Sequence, residues 1–279
     1  SANHRLSYGF VSGAGVFETT LTNPDLFAHY YQQQFELLLQ NHDITLTVGV
    51  SDTPIPVHFS LAENDHVEGQ LNPPRRARLP DVFDLPDLMG MDDAIANGDH
   101  DVLPEGTKPL ALFTAPRVDY SLHRLRHYTG TSPYSFQNFV LLTNYQFYID
   151  EFVALGKAMM QDPACAYIGF IEPGNVLTPR VNLSPDEQAF LEQVAHGQPG
   201  TPPARLPQMS AYHLVRADRG GISLVNIGVG PSNAKTMTDH IAVLRPYAWI
   251  MLGHCAGLRN SQVLGDYVLA HGYVREDHV

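Results

Sequence analysis

Apolar positions change their spacing several times along this chain, and each change marks a predicted element. Within residues 13–22, Val16, Thr19, Thr20 and Thr22 favour a strand. Asn23-Pro24-Asp25 reads as a helix start, with Asn as N-cap, Pro at the first helical position and an acid in the first turn. Leu26, Phe27, Tyr30, Leu37 and Leu38 then supply an apolar helical face out to about Gln40. Ile44, Leu46, Val48 and Val50 alternate with Thr45, Thr47 and Gly49, which predicts a half-buried strand. These signals predict a helix against an antiparallel sheet. From about Asn64 to Pro109 the periodicity is lost to Pro, Asp, Gly and Asn, as in a long excursion with one short helix near residues 85–96.

The pattern tightens from Arg117. Val118, Leu122 and Leu125 lie on one face of a helix over residues 117–128, which Thr129-Gly130-Thr131 ends. Phe139-Val140-Leu141-Leu142 is a continuous apolar run, as expected of a buried parallel strand. Thr143-Asn144 leads from it into a helix through Tyr148, Phe152 and Leu155. A second irregular insertion, residues 173–207, holds a helix from Ser184-Pro185-Asp186 to about Val194. The apolar run through Val225 then ends in Gly228-Val229-Gly230, ahead of an amphipathic helix. A second run, Ala248-Trp249-Ile250-Met251-Leu252, ends in Gly253-His254-Cys255-Ala256-Gly257. Two parallel strands ending in small-residue turns on one sheet edge allow backbone to approach a ligand closely. A last strand is expected over residues 266–273.

Composition narrows the function classes. With 279 residues, 44% of them hydrophobic, the chain can bury a full core and is expected to form two domains. A net charge of -12 argues against a nucleic-acid partner, which needs clustered Lys and Arg. The one basic cluster, Arg75-Arg76-Ala77-Arg78, falls in a Pro-rich loop. No apolar run reaches membrane-spanning length, and mean hydropathy is -0.15, so no membrane partner is expected. Two separated cysteines, Cys165 and Cys255, make no disulfide framework, and the absence of a secretory opening sets a cytoplasmic default. Despite 14 His residues, no zinc-type spacing occurs, so no metal is expected. Gly228-x-Gly230 is not a dinucleotide turn, because Asn233 stands where the third glycine belongs.

Longer motifs carry a resemblance. Arg124-Leu125-Arg126-His127-Tyr128-Thr129-Gly130-Thr131, Leu142-Thr143-Asn144-Tyr145, residues 226–233, residues 253–258 and Gly265-Asp266-Tyr267 together strongly resemble the bacterial AMP nucleosidases. These belong to the nucleoside phosphorylase and hydrolase superfamily. The resemblance implies an α/β fold, an incomplete three-layer nucleoside-phosphorylase-like sandwich over residues 117–279. An N-terminal α+β regulatory domain over residues 1–116 would precede it. It implies hydrolysis of the N-glycosidic bond of AMP to adenine and ribose 5-phosphate, with no cofactor for the chemistry. MgATP as activator, phosphate as inhibitor and a homohexamer built as a trimer of dimers are implied in the same way. The chain is expected to be truncated at both ends. The catalytic Asp and the ribose-binding Glu are expected beyond Val279, which would leave the chain inactive by itself. The competing readings are a nucleotide-binding or regulatory assembly module without catalysis, or a different purine nucleosidase or phosphorylase.

By the same resemblance, Asn144, Tyr145, Gly228, Gly230, His254, Cys255, Ala256 and Gly257 form the sugar and purine side of the site. Arg124, Arg126 and His127 are the candidates for the 5'-phosphate. Cys255 is expected to pack as a small side chain, since no basic partner adjoins it. Related phosphorylases carry an Arg where Met251 stands, and Gly-Asp-Pro followed by an Arg near the Asn144-Tyr145-Gln146 turn. Two missing guanidinium contacts, each worth about 1.5–3 kcal/mol, favour water over phosphate as the nucleophile.

Overall fold

The computed structural model describes residues 11, 13–51, 72–81, 107–111, 113–194 and 200–270. The chain divides into two compact units, Ser1–His123 and Arg124–Val279. The boundary drawn at residues 116 and 117 falls in the first turn of the helix Ala115–Thr129, which runs across this division.

In the first unit, β1 (Phe17–Glu18) pairs in parallel with β2 (Lys108–Pro109), so two residues of the strand expected over 13–22 find a strand partner among the described residues. Helix α1 (Pro24–Asn41) begins at Pro24, whose fixed φ suits a first turn. Asn23 departs from expectation. It is left-handed (φ 48°) and its side chain caps nothing. Its Nδ2 instead donates to the Asp119 carboxylate at 2.6 Å, and Thr22 Oγ1 donates to the same group at 2.8 Å. The ionisable carboxylate takes the Asn23 amide N–H as a donor, which turns this side chain away from the N–H groups of the first helical turn. Burial nevertheless outweighs both donors and raises the Asp119 pKa to about 6.

Residues 44–50 form no strand. They are mostly exposed, with Val48 at 71%, and pair with no strand among the described residues. The arginine cluster is a short helix, α2 (Pro73–Ala77), rather than a loop, and Asn72 Oδ1 accepts from Arg75 N at its start. The helix expected over 85–96 lies outside the described residues.

Helix α3 (Ala115–Thr129) buries Val118, Leu122 and Leu125 as its spacing predicts. The second unit is a six-stranded mixed sheet with helices. Its strands are β3 (Phe139–Thr143), β4 (Gly169–Glu172), β5 (Val176–Pro179), β6 (Ala211–Val215), β7 (Ile222–Asn226) and β8 (Ala248–Leu252), in the order β5-β4-β6-β7-β3-β8. β3 is parallel to both β7 and β8, and the remaining pairs are antiparallel. The sequence reading missed β4, β5 and β6. The β4–β5 hairpin turns within the segment taken as irregular, where Gly174 and Asn175 both adopt positive φ.

Two clusters cover opposite faces of this sheet, as strand alternation requires. On one face, α4 (Gln146–Met159) packs Ile149 against Phe170, Tyr212, Leu214 and Leu224. Gly156 is essential there, since a Cβ would lie 2.6 Å from the Phe170 ring. On the other face, α5 (Pro185–Val194) packs Leu191 and Val194 against Ile168, Ile171 and Val215. Helix α6 (Pro231–Ile241) follows β7 and buries Met237 and Ile241. The strand expected over 266–273 is absent from the described part, as residues 266–270 are exposed and unpaired.

His213 on β6 is fully buried between Thr131 Oγ1 at 2.9 Å and Ser223 Oγ at 2.7 Å, with Phe136 beside it at 4.7 Å. Desolvation lowers its pKa to about 3, so the folded ring is neutral. The native state therefore binds fewer protons than the unfolded chain between pH 3 and 6.5, and stability falls on acidification. Asp119 acts in the opposite sense, because its stabilising contribution is present below 3.8 and is lost as pH rises through about 6. The difference between wild type and His213→Gln isolates the histidine. Urea midpoints followed by circular dichroism should fall less steeply from pH 6.5 to 4 in the variant, and parallel curves contradict the assignment.

Candidate functional site

Because β7 and β8 both run parallel to β3, their C-terminal ends emerge beside that of β3. Thr143 stands level with Asn226 on one side and Leu252 on the other. Ile227 N donates to Thr143 O at 2.9 Å and locks the first two exits together. Three loops therefore meet at one sheet edge, the usual place for a ligand in an open α/β sheet.

The β7 exit is a glycine turn. Gly228 (φ +64°) donates its N–H to Asn226 Oδ1 at 3.0 Å, and Gly230 (φ +107°) precedes Pro231 at the start of α6. Nothing lies within 4 Å of a Cβ built on Gly230, so this backbone faces open space. At the β3 exit, Asn144 holds a buried Oδ1 without a hydrogen-bond partner. Tyr145 N donates to Thr143 Oγ1 at 3.2 Å, which turns the chain into α4.

The β8 exit supplies His254. Its ring lies 4.4 Å from that of Tyr145, and its Nε2 shares a hydrogen bond of 2.8 Å with Tyr148 Oη. Tyr145 and Tyr148 meet edge to face at 5.9 Å. The edge thus gathers two half-buried tyrosines and an exposed histidine, their rings inclined 55–77° to one another, and aromatic side chains of this kind can stack on a flat heterocycle. Sequence reasoning missed Tyr148. The signal was its position in the first turn of α4, three residues after the N-cap Tyr145.

Cys255, Ala256 and Gly257 continue beyond His254 into an exposed loop, where Gly257 faces Gln262 of the same loop. The packing role expected of Cys255 is therefore corrected, because its side chain is exposed. Arg124 and His127, three residues apart, share one side of α3, whereas Arg126 lies about 200° around the helix from Arg124. The Arg124 guanidinium sits 4.5 Å over the Tyr128 ring and also donates to its hydroxyl. The end of α3 is tied to the glycine turn by backbone. Met209 N donates to Tyr128 O, and Asn226 N donates to Ser210 O, both at 2.9 Å. The described residues contain no cluster of three or more metal-binding side chains, and no helix among them is long and apolar enough to cross a membrane.

Comparison with known proteins bears on this edge directly. The chain is 44% identical to AMP nucleosidase of Escherichia coli K12 over 274 residues, which is 98% of this chain. Over that stretch the chain is similar to the bacterial AMP nucleosidases. AMP nucleosidase of E. coli O157:H7 aligns with the same identity and coverage. Residues 1–107 match the family described as bacterial AMP nucleoside phosphorylase N-terminus. The chain spans about half the length of these curated relatives, 53% in each case. AMP nucleosidase from Bacteroides thetaiotaomicron is a solved structure similar to it, with 21% identity, a TM-score of 0.33, and coverage of 54% of this chain and 45% of that one.

Alanine at Gly230 meets no clash but must adopt a φ that side chains avoid. Gly230→Ala should therefore lower the urea-unfolding free energy by about 1–3 kcal/mol. A change below about 0.5 kcal/mol, the level of an ordinary surface substitution, contradicts the conformation described for this turn.

Proposed function

We propose that this chain supplies the base- and sugar-binding edge of an N-glycosidase that hydrolyses AMP to adenine and ribose 5-phosphate. The observation that carries this reading is the 44% identity with E. coli AMP nucleosidase across 98% of the chain. The gathering of Tyr145, Tyr148 and His254 at this edge supports it, since aromatic rings can stack on a purine. In this reading the adenine stacks on His254 and Tyr145, and the Asn144 Oδ1 accepts a hydrogen bond from the ligand. The open backbone at Gly228 and Gly230 lets the ribose approach, and Cys255-Ala256-Gly257 closes over the base. Arg124, Arg126 and His127 are assigned to the 5'-phosphate, with Arg126 on a different side of α3 from the other two. The fold proposed for the second unit is a three-layer nucleoside-phosphorylase-like sandwich, and residues 1–116 form a regulatory domain. Activation by MgATP, inhibition by phosphate and assembly as a homohexamer in the cytoplasm complete the proposal.

Departure of adenine is easier once its ring is protonated, since the transition state places positive charge on the sugar and electrons on the base. The platform excludes water from one face of the ring and fixes its orientation. The bond from Tyr148 Oη to His254 Nε2 holds the imidazole plane against the base. Water is the proposed nucleophile, because Met251 and the Asn144-Tyr145-Gln146 turn offer no guanidinium for inorganic phosphate.

The test uses this chain within a polypeptide of the relatives' full length, incubated with AMP and MgATP, with and without inorganic phosphate. Adenine and ribose 5-phosphate are expected in equal amounts, with no phosphate consumed. Ribose 1,5-bisphosphate would overturn hydrolysis, and AMP binding without adenine release would favour a binding module.

In that polypeptide, Arg126→Ala should lower kcat/KM for AMP by about ten- to hundred-fold, as expected for one charge-assisted phosphate contact. Adenosine, which lacks the phosphate, should change only slightly. Equal losses for both substrates in a folded variant would assign Arg126 a structural role.

A further inference from the structure

The arginines of the second unit are committed in different ways. Arg180 and Arg216 pair with the carboxylates of Glu187 and Asp218, and Arg219 donates to the Phe136 carbonyl. Arg124, near the end of α3, pairs with no carboxylate among the described residues, in a chain whose net charge is -12. Its guanidinium is held by Tyr128 instead. It lies 4.5 Å over the Tyr128 ring and donates to the Tyr128 hydroxyl. Residues four apart on a helix share a face, so both contacts form within one turn. The negative face of the ring attracts the cation, and the hydroxyl limits its rotation.

Tyr128 is itself anchored. Its ring stacks on that of His240 with centroids 6.1 Å apart and planes inclined 26°, and His240 is buried in the last turn of α6. The His127 ring meets it edge-on at 5.3 Å, and its carbonyl accepts from Met209 N. The ring that carries Arg124 is therefore fixed from two helices and from the backbone. Arg124 is half-buried and uses only part of its donor set on Tyr128, so a ligand can reach the remaining N–H groups. A planar cation that no acid neutralises suits a phosphate monoester, and its anchoring leaves little rotamer freedom to lose on binding.

We propose that Tyr128 is a positioning residue, which holds Arg124 ready for the 5'-phosphate of the nucleotide. This role rests on the AMP reading given above and adds to it. Tyr128 touches no ligand atom, yet it raises the preference for a phosphorylated over an unphosphorylated nucleoside by acting through Arg124.

The experiment uses the polypeptide of the relatives' full length and titration calorimetry. The probes are an analogue of AMP whose base and sugar are joined by a carbon–carbon bond, which water does not cleave, and the same analogue without its phosphate. Arg124→Ala should weaken the phosphorylated analogue by about ten- to hundred-fold and leave the other nearly unchanged. Tyr128→Leu should weaken the phosphorylated analogue alone, by roughly two- to ten-fold, the effect of freeing one long side chain. Tyr128→Phe, which keeps the ring and loses the hydroxyl, should fall between wild type and Tyr128→Leu. The double variant Arg124→Ala/Tyr128→Leu should bind like Arg124→Ala, because a residue that acts through another adds nothing once that one is gone. Circular dichroism establishes that each variant is folded, and Tyr128→Phe decides the matter if Tyr128→Leu is not. The positioning role is overturned, with the AMP reading intact, if folded Tyr128 variants bind the phosphorylated analogue like wild type. Equal losses for both analogues, or losses that add in the double variant, overturn it as well. An Arg124→Ala variant that binds inorganic phosphate less tightly but spares the phosphorylated analogue would assign the grip to free phosphate and overturn it too. If neither analogue binds the wild-type polypeptide, the AMP reading itself fails and the role falls with it.

Discussion

Everything at the candidate site depends on β3 pairing in parallel with strands on both sides. A parallel neighbour sends its C-terminal exit to the same edge, and β3 has two such neighbours, β7 and β8. Had either run antiparallel, its glycine turn or its histidine would emerge at the opposite end of the sheet. The register is fixed by burial. Val140, Leu142, Leu224 and Val225 are nearly inaccessible, so a slip of one residue would drive polar side chains into both clusters. The hydrogen bond from Ile227 N to Thr143 O extends that register one step beyond the strands, where the ligand-facing loops begin.

The polar interior serves the same constraint. His213, Ser223, Thr131 and Gln137 form a buried network around β6 and β7. Gln137 Oε1 also accepts from Arg216 N and Gly221 N, which closes the turn between those strands. These bonds tie the antiparallel half of the sheet to the parallel half. Each is costly to leave unmade in a dry interior, so together they favour one arrangement of strands.

Elements with strong local signals were legible in the sequence. Helices α1, α3, α4 and α5 each combine a start signal or a sustained period of 3.6 with an apolar face, and β3, β7 and β8 are short apolar runs ending in turns. β4 and β6 escaped because Gly169-Phe170-Ile171-Glu172 and Ala211-Tyr212-His213-Leu214-Val215 mix glycine, histidine and tyrosine into buried strands. Their burial follows from long-range pairing, which no local window contains. Residues 44–50 show the converse, a clear alternation with no partner strand among the described residues. At the site, the glycine turns and His254 were readable from sequence, whereas Tyr148 became significant only when β8 brought His254 within hydrogen-bonding distance.

The central claim is that the exits of β3, β7 and β8 form a purine site, with His254 and Tyr145 as its platform. A crystal structure of the full-length polypeptide with AMP tests this most directly. The account predicts the adenine ring in van der Waals contact with His254 and Tyr145, with the ribose against the backbone of residues 228–230. An adenine bound elsewhere, with this edge empty or covered by protein, would contradict it.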